Sequence, residues 1–285
     1  MPAGVMNRTV SVVLPCFNAH TYLGETLASV RAQTFTDLEI IVVDDGSTDP
    51  ATQAYLSTLP ADIRLVRQEN RGLAGARNAG FRAARGRYVL PLDCDDLIAP
   101  TMIAHCVEAL ERAGADYAHA QIEVFGDQQG IVRKQANFFE QLATNQLPYC
   151  MLIRRDAWEQ AGGYDEGMRL GYEDWEFNIR LGAIGFTGVA VPEPLFRYRV
   201  RSAGMLRSLS QRHHATIWRH IRARHRDVYS WRGLVRTWWQ WRDRPATHPL
   251  SATWMLLILG CLLPGAVYNR LFFLLHDLGK SRREA

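Results

Sequence analysis

Tyr88-Val89-Leu90-Pro91-Leu92-Asp93-Cys94-Asp95-Asp96 decides how this chain is read. An apolar run predicts a buried strand, and three carboxylates follow it within four residues. Hard divalent cations such as Mg²⁺ and Mn²⁺ take oxygen ligands, commonly one or two carboxylates together with substrate phosphates. A strand that ends in clustered acids suits such a cation, and a cation there can neutralise a diphosphate. A solvated acidic turn is the other reading of the same nine residues.

Working back toward the N-terminus, the same arrangement recurs. Val10–Leu14, Leu38–Val43 and Ile63–Val66 are apolar or β-branched runs that predict strands. Thr21–Gln33 and Ala74–Ala84 carry apolar residues at helical spacing, and Thr48 or Asp49 caps a further helix that begins at Pro50. Strand alternating with helix predicts a parallel α/β sheet covered on both faces. Ligands of such sheets bind beyond the carboxyl ends of the strands. Phe17-Asn18, Asp44-Asp45, Gln68–Arg77 and Asp93–Asp96 all fall there. Gly72, Gly75 and Gly80 do not form a dinucleotide fingerprint, which belongs after the first strand. They open a helix whose first amides, with Arg77, can face phosphate. Asp44-Asp45-Gly46-Ser47 also suits a plain turn.

Beyond residue 100, Thr101–Arg112 and Glu173–Ile184 predict helices and Tyr117–Phe125 a strand. A hydrophobic share of 47% supports a sizeable core. The five cysteines are odd in number and hold no CxxC pair, which argues against a disulfide framework or a zinc site and fits a reduced compartment. Cys94 reads as a packed strand-end residue, since neighbouring carboxylates raise a thiol pKa. The N-terminus carries no apolar segment long enough for a secretory signal. Charge is uneven. Residues 1–196 hold 16 Lys/Arg against 25 Asp/Glu, a net −9, whereas residues 197–245 hold 13 Arg against two acids, a net +11. Six of the eight tryptophans (Trp218, Trp231, Trp238, Trp239, Trp241 and Trp254) interleave with that arginine, and an apolar stretch from Leu250 to Leu278 follows. The chain is thus expected to divide into a 1–207 α/β domain and a 208–285 basic, Trp-rich and apolar helical region.

Five segments taken together, Val10–Asn18, Ile40–Asp49, Asn70–Gly80, Asp93–Asp96 and Gly171-Tyr-Glu-Asp-Trp-Glu176, closely resemble the family 2 glycosyltransferases in order and spacing across residues 8–205. The resemblance implies the GT-A fold, a Rossmann-like mixed sheet with helices on both faces. It implies a nucleotide site of Pro15, Phe17, Asn18, Asp45, Arg77 and Asp93. In that site Pro15 and Phe17 line the base pocket, Asp45 contacts the base and Arg77 lies near base or phosphates. It implies a Mg²⁺ or Mn²⁺ ion held by Asp95 and Asp93, and Asp174 as general base. Glu173, Trp175 and Arg201 are candidate diphosphate or acceptor contacts. Arg201 stands where the family often has His, and it reads equally as a surface cation. Acids in a helix's first turn, such as Glu173 and Asp174, can also be mere dipole partners.

The reaction implied is inverting transfer of a sugar from a nucleotide diphosphate sugar, most often a UDP-sugar, to a glycan or lipid-linked hydroxyl in cell-surface glycan or glycolipid synthesis. No Q-x-x-R-W pattern occurs, so a single transfer is expected rather than polymerisation. A nucleotidyltransferase would show a Gly-rich loop with lysine after the first strand. Here that loop has no lysine, and the chain has only Lys134 and Lys280. A catalytically silent membrane-bound scaffold is a further alternative, against which the intact Asp93, Asp95 and Asp174 weigh. Trp and Arg beside an apolar stretch suit the inner membrane surface, and no motif for nucleic acid accompanies them. A single crossing would export the last basic group, against the positive-inside tendency. A shallow helical hairpin or interfacial helix is therefore expected, with the protein cytoplasmic and peripheral on the membrane. A true span and a buried helix or oligomer contact are the other readings.

Overall fold

The computed structural model describes residues 10–201 and 212–281, with side chains as far as residue 274. In chain order the elements are β1 (Val10–Cys16), α1 (His20–Arg31), β2 (Leu38–Asp45), α2 (Pro50–Ser57), β3 (Ile63–Gln68), α3 (Gly72–Ala83), β4 (Tyr88–Pro91), β5 (Leu97–Ile98), α4 (Met102–Ala113), β6 (Tyr117–Gly126), β7 (Gly130–Val132), α5 (Phe138–Gln141), β8 (Leu152–Arg154), α6 (Arg155–Ala161), α7 (Glu173–Ile184), β9 (Gly188–Val200), α8 (His214–Arg224), α9 (Arg226–Tyr229), α10 (Trp231–Trp241), α11 (Leu250–Leu262) and α12 (Gly265–Ser281). They form two compact units. The first comprises Met1–Ala136, Leu147–Arg169 and Glu173–Arg201; the second comprises Asn137–Gln146, Leu170–Tyr172 and Ser202–Ala285. The boundary expected after residue 207 lies outside the described residues.

Alternate residues of β1 enter two different cores, as the two-residue period of a strand requires. Val10, Val12 and Leu14 pack with Leu23, Leu27 and Val30 of α1 and with Met102, Cys106 and Leu110 of α4. Val13 packs with Ala74, Ala76 and Phe81 of α3 and with Phe177 and Leu181 of α7. Helices therefore cover both faces of the sheet. Among the described residues the sheet has nine strands, in the order β3-β2-β1-β4-β8-β6-β9-β5, with β7 paired to β6. The first four strands are parallel. β8 joins β4 antiparallel and makes the sheet mixed. Helix α3 lies unusually close to the sheet. A Cβ on Gly80 would stand 2.2 Å from Val13 Cγ1 and 3.0 Å from Val43 Cγ2, so this position requires glycine.

The second unit is helical. Its packing centres on Trp218, which was expected at an interface and is instead fully buried. The Trp218 ring stacks on Tyr268 at 5.2 Å, and its Nε1 donates to the Leu142 carbonyl at 3.1 Å. Buried Glu140 accepts from the backbone amides of Thr247 and His248 at 2.6 and 2.8 Å, pinning the turn that leads into α11. The apolar C-terminal stretch is broken at Leu263-Pro264, between α11 and α12. Among the described residues no helix is long and apolar enough to cross a membrane.

Candidate active site

The strand ends of the first unit are tied together by side chains. Asn18, just beyond β1, adopts φ +51, which Asn tolerates better than most residues. Its Oδ1 accepts from the backbone amides of Thr48 and Asp49, both at 2.9 Å. Asp44 Oδ1 accepts from Ser47 N at 2.9 Å across Gly46, whose φ of +73 suits glycine. The turn expected at Asp44–Ser47 is therefore present, and Asp45 does separate work. Asp45 is buried, and its Oδ1 accepts from Gln68 Nε2 at 2.7 Å and from Arg71 N at 2.8 Å, while Oδ2 accepts from Gly72 N at 2.9 Å. Two of the amides that open α3 thus point at Asp45, where the sequence suggested that they face phosphate. Phe17 is 47% exposed beside buried Pro15.

The three acids after β4 have separate environments. The side chains of Asp93 and Asp95 each retain 24% exposure, but Asp96 is buried. Asp96 Oδ2 accepts from Tyr149 Oη at 2.5 Å and Oδ1 from Arg199 N at 2.6 Å. The Tyr149 hydroxyl in turn accepts from Asp93 N at 3.0 Å. Arg199 Nε donates to the Asp95 carbonyl at 2.7 Å, and its Nη2 donates to Glu25 at 2.5 Å. Thr26 Oγ1 donates to the Cys94 and Asp96 carbonyls, both at 2.9 Å. Burial, then Asp95 and Asp93, push the Asp96 carboxyl well above the usual range. Burial, then Asp93, raise that of Asp95, and Arg201 opposes them. Arg201 Nη2 lies 2.5 Å from Asp95 Oδ2 with its side chain 46% exposed, so this cation faces the acid run. Cys94 is a packed thiol as expected. It donates to the Pro15 carbonyl at 3.0 Å, and its hydrogen bond with Cys16 and its burial raise its pKa.

Arg77 is 1% exposed and is engaged by acids on both sides. Its Nη2 donates to Asp93 Oδ1 at 2.8 Å and its Nη1 to Glu173 Oε1 at 2.6 Å. The guanidinium lies over the rings of Tyr149 at 4.7 Å and Tyr164 at 5.6 Å. One buried cation therefore joins the acid run to the first turn of α7. Two further candidates lie at that turn. Trp175 is 1% exposed and Glu173 is 4% exposed, so both side chains pack into the interior. Burial pushes the Glu173 carboxyl up to about 7, although Arg77 opposes it. Asp174 alone of the three stays half-exposed, with its Oδ1 accepting from Trp175 N at 2.8 Å. Tyr149 and Arg199 were missed by sequence reasoning. Tyr149 carries no motif. The alternation Arg197, Arg199, Arg201 did carry a signal, because residues two apart on a strand share a face.

The donor set fits a hard cation. Asp93 and Asp95 are two half-buried carboxylates at one strand end, and the raised Asp95 pKa is the mark of acids that repel one another in a poorly solvated place. Among the described residues no three or more histidine, cysteine, aspartate or glutamate side chains converge as a metal site. Two carboxylates are what Mg²⁺ sites completed by substrate phosphates commonly supply.

Comparison with known proteins gives a consistent result. The family model described as glycosyl transferase family 2 matches residues 11–184. Glycosyltransferase GlyG of Streptococcus pneumoniae serotype 4 is 27% identical over 227 residues, covering 71% of this chain and 74% of that protein. Succinoglycan biosynthesis protein ExoO of Rhizobium meliloti is 28% identical over 229 residues, covering 72% of this chain and 64% of that protein. The match spans only 32% of glycosyltransferase GlyA of the same pneumococcus. The crystal structure of S. aureus TarS 1-349 in complex with UDP-GlcNAc superposes with a TM-score of 0.62 at 18% identity, covering 87% of this chain and 70% of that one, a likeness of fold.

Proposed function

The chain belongs to glycosyl transferase family 2 and is a glycosyltransferase, and from that premise we propose metal-dependent, inverting transfer of one sugar from a nucleotide diphosphate sugar to an acceptor hydroxyl. The observation that carries this reading is the Arg77 bridge, with 2.8 Å to Asp93 on the donor side and 2.6 Å to Glu173, the neighbour of Asp174, on the acceptor side. A base and a diphosphate site held by one buried cation suit a single displacement.

In that displacement Asp174 takes the proton of the acceptor hydroxyl. The hydroxyl oxygen bonds to the anomeric carbon from the face opposite the leaving group. The bond from that carbon to the diphosphate oxygen breaks, its electron pair departs with the nucleoside diphosphate, and the configuration inverts. Asp93 and Asp95 would hold the Mg²⁺ or Mn²⁺ ion, which when bound offsets negative charge on the leaving diphosphate. Arg77 keeps Asp93 oriented, and Tyr149 fixes the backbone on which Asp93 sits. Phe17 offers an exposed ring for stacking a base. Asp45 offers about four acceptor positions, of which three are taken, and the remaining one suits a single N–H such as the imide of a pyrimidine. TarS, solved with UDP-GlcNAc, supports a UDP-sugar as donor. We assign the acceptor to a glycan or a lipid-linked glycan and the second unit to the inner membrane surface.

The test pairs binding with turnover. A donor such as UDP-GlcNAc should raise the melting temperature only with Mn²⁺ present. Asp174→Asn should keep that shift and lose transfer. Turnover surviving in Asp174→Asn would overturn the base assignment, and equal stabilisation without metal would overturn the metal dependence.

A further inference from the structure

We propose that a cleft of the second unit binds the phosphate of an anionic phospholipid headgroup, and that the exposed stripe of α11 lies in the acyl boundary of the same leaflet. The cleft is a shallow, open depression of about 300 Å³ lined by Arg219, Arg222, Ala223, Arg226 and Tyr229. Three guanidinium groups from two turns of one helix and the start of the next thus border a single space. Among the described residues no acid forms an ion pair with any of the three. Arg222 is fixed in place, over the Trp218 ring at 4.6 Å and the Tyr229 ring at 5.8 Å, with its Nη2 2.9 Å from Cys261 Sγ. Arg219 lies against the start of α12, its Nη1 3.0 Å from where a Gly265 Cβ would stand. That places it beside a helix N-terminus, which adds partial positive charge. Arg226 Nε donates to the Ala223 carbonyl at 3.2 Å, which leaves its other guanidinium nitrogens available. Three guanidinium groups without acid partners, one of them fixed, suit a phosphate anion.

The cleft's neighbours say which phosphate. Cys261, which Arg222 touches, is followed by Leu262, 74% exposed at the end of α11. Met255 at 41% and Ile258 at 47% continue that stripe at helical spacing, while Thr253, Leu257 and Gly260 are buried on the opposite side. The helix contains no charged residue. Trp231, 69% exposed, leans on Trp254 at 5.6 Å and extends the apolar surface. Arg242 lies 3.6 Å over Trp239, which is 56% exposed. An apolar stripe rimmed by Arg and Trp matches a bilayer interface. Thirteen residues reach only about 20 Å against a hydrocarbon core of about 30 Å, so α11 lies in the boundary and does not cross. A second copy of the chain fits worse. A two-fold contact sets a patch against itself, which would bring two unpaired arginine clusters together.

The inference rests on the membrane location proposed above and not on the sugar-transfer chemistry. The full chain is sedimented with vesicles of phosphatidylcholine alone and of phosphatidylcholine with phosphatidylglycerol. Wild type should bind the anionic vesicles and lose binding at high salt. The Arg219→Gln/Arg226→Gln pair, both exposed positions, should bind about thirtyfold more weakly, at about 1 kcal/mol per arginine near the surface. Ile258→Asp/Leu262→Asp should also release the protein. Both variants should keep the melting temperature and the donor response of wild type. If wild type binds no vesicles, the membrane location itself fails. If wild type binds and the arginine pair binds equally well, the headgroup cleft fails while the location stands. Stabilisation by inorganic phosphate without vesicle binding would reassign the cleft to a soluble anion. Dissociation of a dimer by the aspartate pair, with vesicle binding unchanged, would reassign the stripe to self-association.

Discussion

Replacing Arg77 by methionine should destabilise the first unit, and more at high pH than at low pH. Methionine keeps most of the stem volume and removes the cation. Removing one partner of a buried pair costs about 3–5 kcal/mol, because the other charge stays behind. Here two carboxylates are left, and they differ. Asp93 is about a quarter exposed and can rehydrate, whereas the Glu173 side chain is 5% exposed and cannot. Glu173 escapes by taking a proton. Its carboxyl already stands near 7 against an ordinary 4.5, raised by burial and held down by Arg77. A raised acid binds more protons folded than unfolded, so its contribution falls as pH rises from 4.5 through about 7 and is fully lost above that. In wild type this costs roughly 3 kcal/mol at alkaline pH, which the ion pair with Arg77 already limits. Without Arg77 the window extends upward. At about pH 8.5 the variant must hold Glu173 protonated where wild type holds it ionised and paired, an extra cost of about 2 kcal/mol. At about pH 5.5 both proteins hold it protonated, and that extra cost vanishes. For a unit of this size each kcal/mol moves the melting temperature by about 2–4 °C. Melting followed by fluorescence across that pH range should show a deficit of about 10 °C at the alkaline end that shrinks toward the acid end. Arg77→Lys should recover part of it, since lysine restores charge without the two-pronged geometry. A deficit independent of pH, or larger in acid, would refute the assignment of Glu173 as the trapped charge.

Gly80→Ala should cost about 1–3 kcal/mol, since the new methyl meets Val13 and Val43, and an unchanged urea midpoint would show that α3 can retreat. Tyr149→Phe leaves the buried Asp96 carboxyl and the Asp93 amide without their shared hydroxyl. It should cost about 1–3 kcal/mol in denaturant unfolding and diminish the Mn²⁺-dependent response to UDP-sugar. Retention of both stability and response would remove Tyr149 from the support of the acid run.

The first half of the sheet was legible because β1, β2 and β4 are largely buried on both faces and its helices are long enough to show their spacing. The edges were not. β5 has two residues and β8 has three, too few for any period to register. β9 runs through Pro192 and Pro194, which cannot donate to the ladder, so the sequence shows strand-like segments up to Val200 and not one continuous strand. The structure reconciles the two. Pairing of β9 with β6 stops at Val191 and resumes at Phe196, with the register shift between Ala120 and Ile122, so the prolines fall in the gap. The site was legible in type, and the pairing inside it was not. Arg77 pairs with acids 16 and 96 residues away, and no local pattern distinguishes a guanidinium aimed at phosphate from one buried between two carboxylates. Trp175 and Glu173 adjoin Asp174, and sequence adjacency on a helix says little about facing, since neighbouring side chains diverge by about 100°.

That divergence is how a short acidic motif yields unlike chemistry from like residues. Asp96 sits inward, where Tyr149 and the Arg199 amide engage both its oxygens and burial holds its pKa high. It anchors β9 to the loop and leaves Asp93 and Asp95 at the surface of the strand end. Glu173 likewise sits inward on Arg77, and Asp174, one position on, is left facing outward. In both motifs one acid is consumed as a structural anchor so that its neighbour is held still. An Asp96→Asn or Glu173→Gln change would therefore act through position rather than through lost charge at the reacting atoms. Each replacement keeps an acceptor oxygen and the shape of the side chain, so each should be milder than the corresponding loss of Asp95 or Asp174. The reverse order of severity would mean that the inward acids, not the outward ones, carry the chemistry.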